Sequence, residues 1–194
     1  MVQYFLRVMK KQQKSKFIVL FISFIMISSV FAVIFYGFQT NTSSLRYNNI
    51  NFANENGVWH ATIEGKRMTF DFHPLEVESI PLEEEALSLL QSPQIDFTYD
   101  VDNLYKTAIA EVEFALERSV PETFFTIGFT TVNAFNKPVF TCDTATETVP
   151  VLYALTGNET KIYAEGNCII LEGNNEDGFR RLKDRLVYSL LDVI

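Results

Sequence analysis

The chain of 194 residues lacks the sequence patterns that most often mark a catalytic or nucleotide-binding site. It contains no G-x-S-x-G nucleophile turn, no G-x-G-x-x-G or P-loop pattern for phosphate groups, and no H-E-x-x-H zinc motif. Its eight glycines are scattered and form no glycine-rich loop. These absences favour a non-catalytic protein and leave an enzyme with an unfamiliar site as an alternative.

Cysteine and histidine are also scarce, and their spacing argues against the common zinc sites. The chain has two cysteines, Cys142 and Cys168, and two histidines, His60 and His73. Structural zinc sites use four ligands, usually in close-set pairs such as C-x-x-C, and no such pair occurs here. We therefore predict no metal site and no cofactor.

Acidic residues are absent before Glu55, and the basic residues in this region are concentrated at its start. Residues 1–16 carry five basic side chains, and residues 17–38 carry no charged side chain. A helix over the second range is about 33 Å long, enough to cross the apolar layer of a bilayer. Because basic residues favour the cytoplasmic side, we predict a cytoplasmic leader at 1–16 and a transmembrane signal-anchor helix at 17–38.

A cleaved signal peptide is the alternative, since Val30-Phe31-Ala32 offers small residues at a suitable spacing. The apolar run continues to Phe38, however, whereas the apolar region of a signal peptide spans about 7 to 15 residues. This length favours an uncleaved anchor. The polar residues 39–49 then predict a short stalk, and residues 50–194 an extracytoplasmic domain.

The chain beyond the leader is strongly acidic. Of its 16 basic residues, 11 follow the leader, together with all 24 acidic residues, which gives a net charge of −13. Phosphate groups are repelled by such a surface, so we predict no nucleic-acid partner. The predicted partners are the lipid bilayer, through residues 17–38, and an envelope protein or a second copy of the chain.

Residues 58–73 predict a β-hairpin with a two-residue turn at Gly65-Lys66, because a type II′ turn has glycine first. The resulting register places apolar residues opposite each other on one face. These pairs are Trp59 with Phe72, Ala61 with Phe70, and Ile63 with Met68. On the other face it places His60 opposite Asp71, which is typical of an ordinary polar pair on a wet sheet.

The rest of the chain predicts an α/β domain. The strictly alternating IDFTYD and the helical pattern after it indicate a strand followed by a helix, and PVFTC indicates a further strand. VPVLYAL, from Val149 to Leu155, is typical of a central strand buried on both faces. The segment up to Gly173 predicts a three-strand meander, and a final helix begins after Asn174 or Asn175. We expect one mixed sheet of about six to eight strands and about three helices, with α+β as the alternative class.

The topology also bears on the cysteines. Thiols are oxidised in most organisms on the predicted side of the membrane, so a disulfide between Cys142 and Cys168 is the leading interpretation, and two buried free thiols are the alternative. A disulfide there would be structural. Two N-glycosylation tripeptides lie on the same side, at Asn41 in the stalk and at Asn158 in a predicted turn.

Several segments together carry a resemblance: the basic leader and single span, then VWHATIEGKRMTFDFHPLEVESIPL, FTTVNAFNKPVFTCDTATETVPVLYAL and GNCIILEGNNEDGFRRLKDRLVYSLL. The chain resembles small archaeal single-pass membrane-anchored proteins of unassigned function over nearly its whole length. The CDTAT segment and the NCIILEG strand with its following helix are the most specific parts. The resemblance implies the membrane topology and the pairing of the cysteines, and it implies no activity.

These observations leave three functional hypotheses. The leading one is a non-catalytic cell-envelope protein that presents a rigid acidic domain to a partner. The second is an extracytoplasmic enzyme or small-ligand binder that uses carboxylates at the ends of strands, such as Asp100 and Asp143. The third is an accessory subunit of a membrane complex, in which Ser23, Ser28 and Ser29 would face a partner helix.

Overall fold

The computed structural model describes residues 19–29, 31 and 42–194. The chain divides into two compact units, Met1–Thr42 and Ser43–Ile194. The second unit contains nearly all of the described residues, and it carries both sheets and the hydrophobic core.

The first unit contributes one helical segment, α1, formed by residues 19–29 and 31. Among the described residues there is no helix with the length and hydrophobicity needed to cross a membrane. The predicted leader at 1–16 and part of the predicted span at 17–38 lie outside the described residues. The membrane anchor therefore stays a prediction.

The first sheet has four strands joined by tight turns, in the order β1-β2-β3-β4. The strands are β1 (Thr42–Tyr47), β2 (Ile50–Glu55), β3 (Val58–Ile63) and β4 (Lys66–Phe70). Each turn consists of two residues that both have positive φ: Asn48-Asn49, Asn56-Gly57 and Glu64-Gly65. Two positive φ angles define the type I′ turn, whose twist matches that of the strands it joins. Three successive turns of this kind produce an antiparallel meander.

Strand β1 occupies residues for which the sequence predicts a stalk. Its last residue, Tyr47, donates from its hydroxyl to Glu78 Oε2 at 2.7 Å. The following Asn48 donates from Nδ2 to the carbonyl of Val193 at 2.9 Å. From Thr42 onward, therefore, the predicted stalk belongs to the sheet, and residues 39–41 lie outside the described residues.

The hairpin β3–β4 forms, but its predicted register is wrong by two residues. Trp59 pairs with Phe70 and His60 with Thr69, because the turn is Glu64-Gly65 and not Gly65-Lys66. Gly65, with φ of 78°, occupies the second position of a type I′ turn rather than the first position of a type II′ turn. A shift of two preserves the side-chain alternation, so Trp59 and Phe70 still face the core.

The second sheet has five strands in the order β6-β5-β7-β9-β8. They are β5 (Gln94–Tyr99), β6 (Phe124–Phe129), β7 (Val151–Thr156), β8 (Lys161–Glu165) and β9 (Cys168–Gly173). The central position of β7 confirms the prediction from its apolar run. The predicted meander is wrong, because β7 pairs in parallel with β9 and β8 lies outside them, antiparallel to β9.

The helices of the second unit are α2 (Pro74–Val77), α3 (Glu84–Leu89), α4 (Lys106–Ser119) and α5 (Glu176–Leu190). The mixed α/β class is confirmed. Two predictions for the domain are corrected: residues 42–194 form two sheets with nine strands, not one sheet of about six to eight, and four helices, not about three. The predicted strand PVFTC reduces to one bridge between Phe129 and Val139 and a 3-10 turn at Cys142–Thr144.

The two faces of the second sheet are covered by different parts of the chain. Alternate residues such as Phe97, Leu152 and Ile169 pack with α4 and α5 in the main core. The other face carries a smaller cluster around Val151, Cys168 and Ile170, against which Phe140, Cys142 and Ala145 pack. Helix α5 also contacts the first sheet, where Tyr188 stacks on Phe70 with 4.3 Å between ring centroids.

Candidate functional site: the groove beside strand β4

Strand β4 is an edge of the first sheet and leaves backbone groups without partners. In a two-residue hairpin the residues that flank the turn form a hydrogen-bonded pair, and such pairs alternate along the ladder. Lys66, Met68 and Phe70 therefore bond to β3, while the N–H and C=O groups of Arg67 and Thr69 point away from it. Within the described residues, no backbone or side-chain group bonds these four outward groups.

A groove runs along this open edge, and we call it the β4 groove. It is bounded by β4, by one side of α4 and by α5, and its volume is about 680 Å³. This volume lies in the range of pockets that bind small ligands. Its apolar lining includes Met68 from β4, Phe114 from α4, and Val187 and Leu191 from α5 and its C-cap.

The aromatic ring of Phe114 is unusually exposed for a residue on a folded helix. Its side chain is 60% exposed, whereas Val112 and Leu116 on the same helix are fully buried in the core. The Arg118 guanidinium lies 5.5 Å from the centre of the ring. Phe114 therefore offers apolar surface and a neighbouring positive charge to whatever enters the groove.

Asp184 closes one end of the β4 groove. Its Oδ2 accepts the N–H groups of Asp71 and Phe72, both at 2.8 Å, although the residue is only 1% exposed. It thus caps the continuation of β4 in place of a neighbouring strand. Lys183 lies beside it, with Nζ 3.5 Å from Asp184 Oδ1 and a second ion pair to Asp71. Burial raises the pKa of Asp184 to about 7, against the opposing effects of Lys183 and the two N–H donors.

The charges around the β4 groove are unevenly satisfied. Lys183 is paired as described, and Glu111 lies 3.6 Å from Arg180. Lys66 and Arg118 form no ion pair with any carboxylate of the described residues. Both are exposed. Glu64 also lines the groove without an ion pair, so the groove has two uncompensated positive charges and one uncompensated negative charge within a domain whose net charge is −13.

The predicted disulfide is present, with Cys142 and Cys168 joined and their Cα atoms 5.1 Å apart. It connects the turn after Thr141 to the first residue of β9. Cys168 is fully buried, and Phe140 beside Cys142 packs on the same face of the sheet. The disulfide thus fastens the segment that covers this face, which is a structural role.

The structure does not bring the two proposed carboxylates together. Asp100 follows the C-terminal end of β5, where Asn103 bonds to Thr156 at the end of β7. Asp143 follows Cys142 and therefore lies near the start of β9. Since β5, β7 and β9 are parallel, Asp100 lies at the C-terminal ends of these strands and Asp143 at their N-terminal ends.

His60 and Asp71 are not opposite each other, because of the corrected register. His60 lies across from Thr69, with 3.4 Å between Nδ1 and Oγ1, and 3.8 Å from Glu55. Asp71 pairs with Lys183 instead. His60 and Asp71 therefore do not form a catalytic base with an orienting acid.

The remaining predicted sites are simple to place. Asn158 is exposed in the turn between β7 and β8, and Asn41 lies outside the described residues. No group of three or more His, Cys, Asp or Glu residues in the described part of the chain is arranged to hold a metal ion.

Sequence reasoning missed the β4 groove because its walls come from segments more than 30 residues apart. The one local signal was a short edge strand bearing Lys66 and Arg67.

Comparison with known proteins identifies no relative. No protein-family model matches the chain, and neither the curated proteins nor the solved structures contain a significant match.

Proposed function

We propose that this protein is a single-pass membrane-anchored interaction protein whose extracytoplasmic domain binds a partner polypeptide in the β4 groove. The observation that carries the proposal is an open strand edge beside an apolar groove with an exposed aromatic wall. Exposed edges are normally protected by charge, bulges or covering segments, because they template pairing with other chains. Strand β4 is short and bears Lys66 and Arg67, which disfavour unselective pairing, but no covering segment bonds its outward backbone groups within the described residues. An edge with a preformed groove beside it is suited to binding.

The anchored topology in this proposal is supported by the five bases before the apolar span and by the resemblance to small archaeal membrane-anchored proteins. Two features support a non-catalytic role. The sequence carries no catalytic motif, and the polar groups at the closed end of the groove are engaged with each other: Asp184 bonds two backbone N–H groups, and Lys183 pairs with two carboxylates.

Site-specific photo-cross-linking in native membranes tests the proposal. Benzoylphenylalanine replaces Phe114 in the full-length chain, and in a control it replaces Phe124, which is 66% exposed and does not line the groove. We expect a discrete protein adduct from position 114 that is absent from position 124. Equal adducts from both positions, or none from position 114, would contradict binding in the groove.

A second experiment tests the topology separately. Protease added to intact cells should cleave the domain and spare the leader at 1–16. Protection of the domain in cells whose outer layer admits the protease would reverse the assigned orientation and leave the groove result unaffected.

A further inference from the structure

We propose that the occupant of the β4 groove is an extended polypeptide segment that pairs with β4 as an additional strand. Its acidic side chain lies near Lys66 and Arg118. This inference rests on the proposed function. The bonding groups, the shape of the groove and its charges each support one part of this inference.

The backbone groups determine how such a segment binds. The outward N–H and C=O groups of Arg67 and Thr69 are two donors and two acceptors in the spacing of a β-ladder. An added strand satisfies all four, whereas a helix presents no free donors or acceptors along its side. Beyond them the ladder stops, since the outward N–H of Asp71 is bonded to Asp184. The guest strand therefore pairs over a short stretch with a defined end.

The side chains of the guest follow from the two-residue period of a strand. Lys66 and Met68 share one face of β4 with Phe70, the face that packs toward α5. Guest side chains on that face enter the groove and meet Met68, Phe114 and Val187, which favours an apolar residue. The guest residues between them point to solvent and are unrestricted.

The charges specify one further position. Lys66 and Arg118 line the groove without carboxylate partners and outnumber its one unpaired carboxylate, Glu64, so a guest carboxylate entering the groove gains charge-assisted hydrogen bonds. The net charge of −13 on the chain beyond the leader repels a segment with many acids. The favoured guest therefore has one or two acidic residues and an apolar residue two positions away.

The probe is a library of random seven-residue peptides, selected on the full-length chain in nanodiscs. We expect selected peptides with an acidic and an apolar residue two positions apart. Lys66→Glu and Arg118→Glu should each weaken their binding about tenfold. Lys106→Glu is the matched control, because Lys106 begins the same helix α4 but does not line the groove, and it should leave binding unchanged.

Strand pairing has its own measurements. Methylation of one backbone nitrogen in a selected peptide removes one ladder bond and should weaken binding about tenfold at alternate positions only. Hydrogen exchange of the Arg67 and Thr69 amides should slow when the peptide binds. Equal effects of methylation at every position, or unchanged exchange of these amides, would overturn strand addition.

The remaining outcomes are also decisive. Selected peptides without acidic residues, or peptides that bind the charge-reversed variants equally well, would overturn the acidic specificity. Failure to select any peptide that protects the β4 amides would overturn the whole inference. If position 114 still forms its specific adduct in membranes, the proposed function stands and only the binding mode fails; loss of both results removes the function as well.

Discussion

The two sheets of residues 42–194 are stabilised in different ways. In the second sheet β7 and β9 are buried on both faces, because α4 and α5 cover one face and the disulfide-linked segment covers the other. In the first sheet burial alternates along β3, so one face contacts the core and the other meets solvent. A sheet covered on both sides depends on apolar burial, whereas a sheet covered on one side needs additional attachments.

The attachments of the first sheet are directional polar bonds to the C-terminal part of the chain. Asp184 holds two N–H groups after β4, and the Tyr188 hydroxyl donates to the carbonyl of Phe72 at 2.7 Å. Asn48 holds the carbonyl of Val193. These bonds fix the end of β4 and leave its middle open, which is the combination that the β4 groove requires.

The largest effect should come from the apolar core of the second sheet. Phe97 lies on β5 and is fully buried, so Phe97→Ala should lower the free energy of unfolding by about 4 kcal/mol. Leu104→Ala is the control, because Leu104 is 90% exposed and its truncation should cost less than about 0.5 kcal/mol. Urea unfolding of the full-length chain in micelles gives both values. A loss below about 1 kcal/mol for Phe97→Ala would contradict the assigned core.

Removal of the disulfide should have the next largest effect. Replacement of both Cys142 and Cys168 by serine opens a loop with a sequence separation of 26 and should cost about 3.5 kcal/mol. Reductant should destabilise the natural chain by a similar amount and leave the double variant unchanged. Alkylation of both cysteines in unreduced protein would show that the bond does not form.

The contrast between the sheets also explains what the sequence could predict. The final helix follows from a clear pattern, since Phe179, Leu182 and Leu186 recur at helical spacing and are all buried, and the continuous apolar run of β7 indicates its central position. These features depend on the residues of a single element. They are predictable because the spacing of apolar residues within one segment indicates which helix face is buried, or that a strand is buried on both faces.

Pairing between elements was less predictable. The β3–β4 register depended on which two residues form the turn, and Gly65 fits either of two turn types. A meander would place β8 between β7 and β9, but the sheet has β9 between β7 and β8. This order depends on the burial of β9 by its neighbours, which the short turns do not reveal. The β4 groove needs residues from β4, α4 and α5 together, and no local pattern specifies that meeting.

The polar attachment of the first sheet can be tested at Asp184. Asp184→Ala leaves two partly buried N–H groups and the Lys183 ammonium without this partner, and should cost about 3 kcal/mol. Asp177→Ala is the control on the same helix, since Asp177 forms an exposed pair with Arg181 and should contribute less than about 1 kcal/mol. Equal losses for the two variants in urea unfolding would remove the special role of Asp184.

The smallest effect should be a pH dependence from His73, which lies where the first sheet meets α2. The ring is 1% exposed and packs against Phe52 and Trp59. Its Nδ1 accepts the N–H of Leu75 at 3.3 Å, which assigns the proton of the neutral ring to Nε2. Burial lowers the pKa of His73 below 6.5, although Glu76 and Glu78 oppose the shift.

The sign of this effect follows from proton uptake. Below pH 6.5 the unfolded chain protonates His73 while the folded chain does not. The free energy of unfolding therefore decreases as the pH is lowered from 6.5, until the lower folded pKa is passed. Asp184 acts in the opposite direction, because its raised pKa lets the folded chain bind a proton between pH 3.8 and about 7.

The measurement is therefore the difference in unfolding free energy between the natural chain and His73→Asn at each pH. Asparagine keeps a helix-capping oxygen and does not titrate, so this difference should shrink on acidification from pH 7 to 5. A constant difference for His73→Asn would mean that His73 is not held neutral, and that the first sheet has no acid-sensitive attachment at this position.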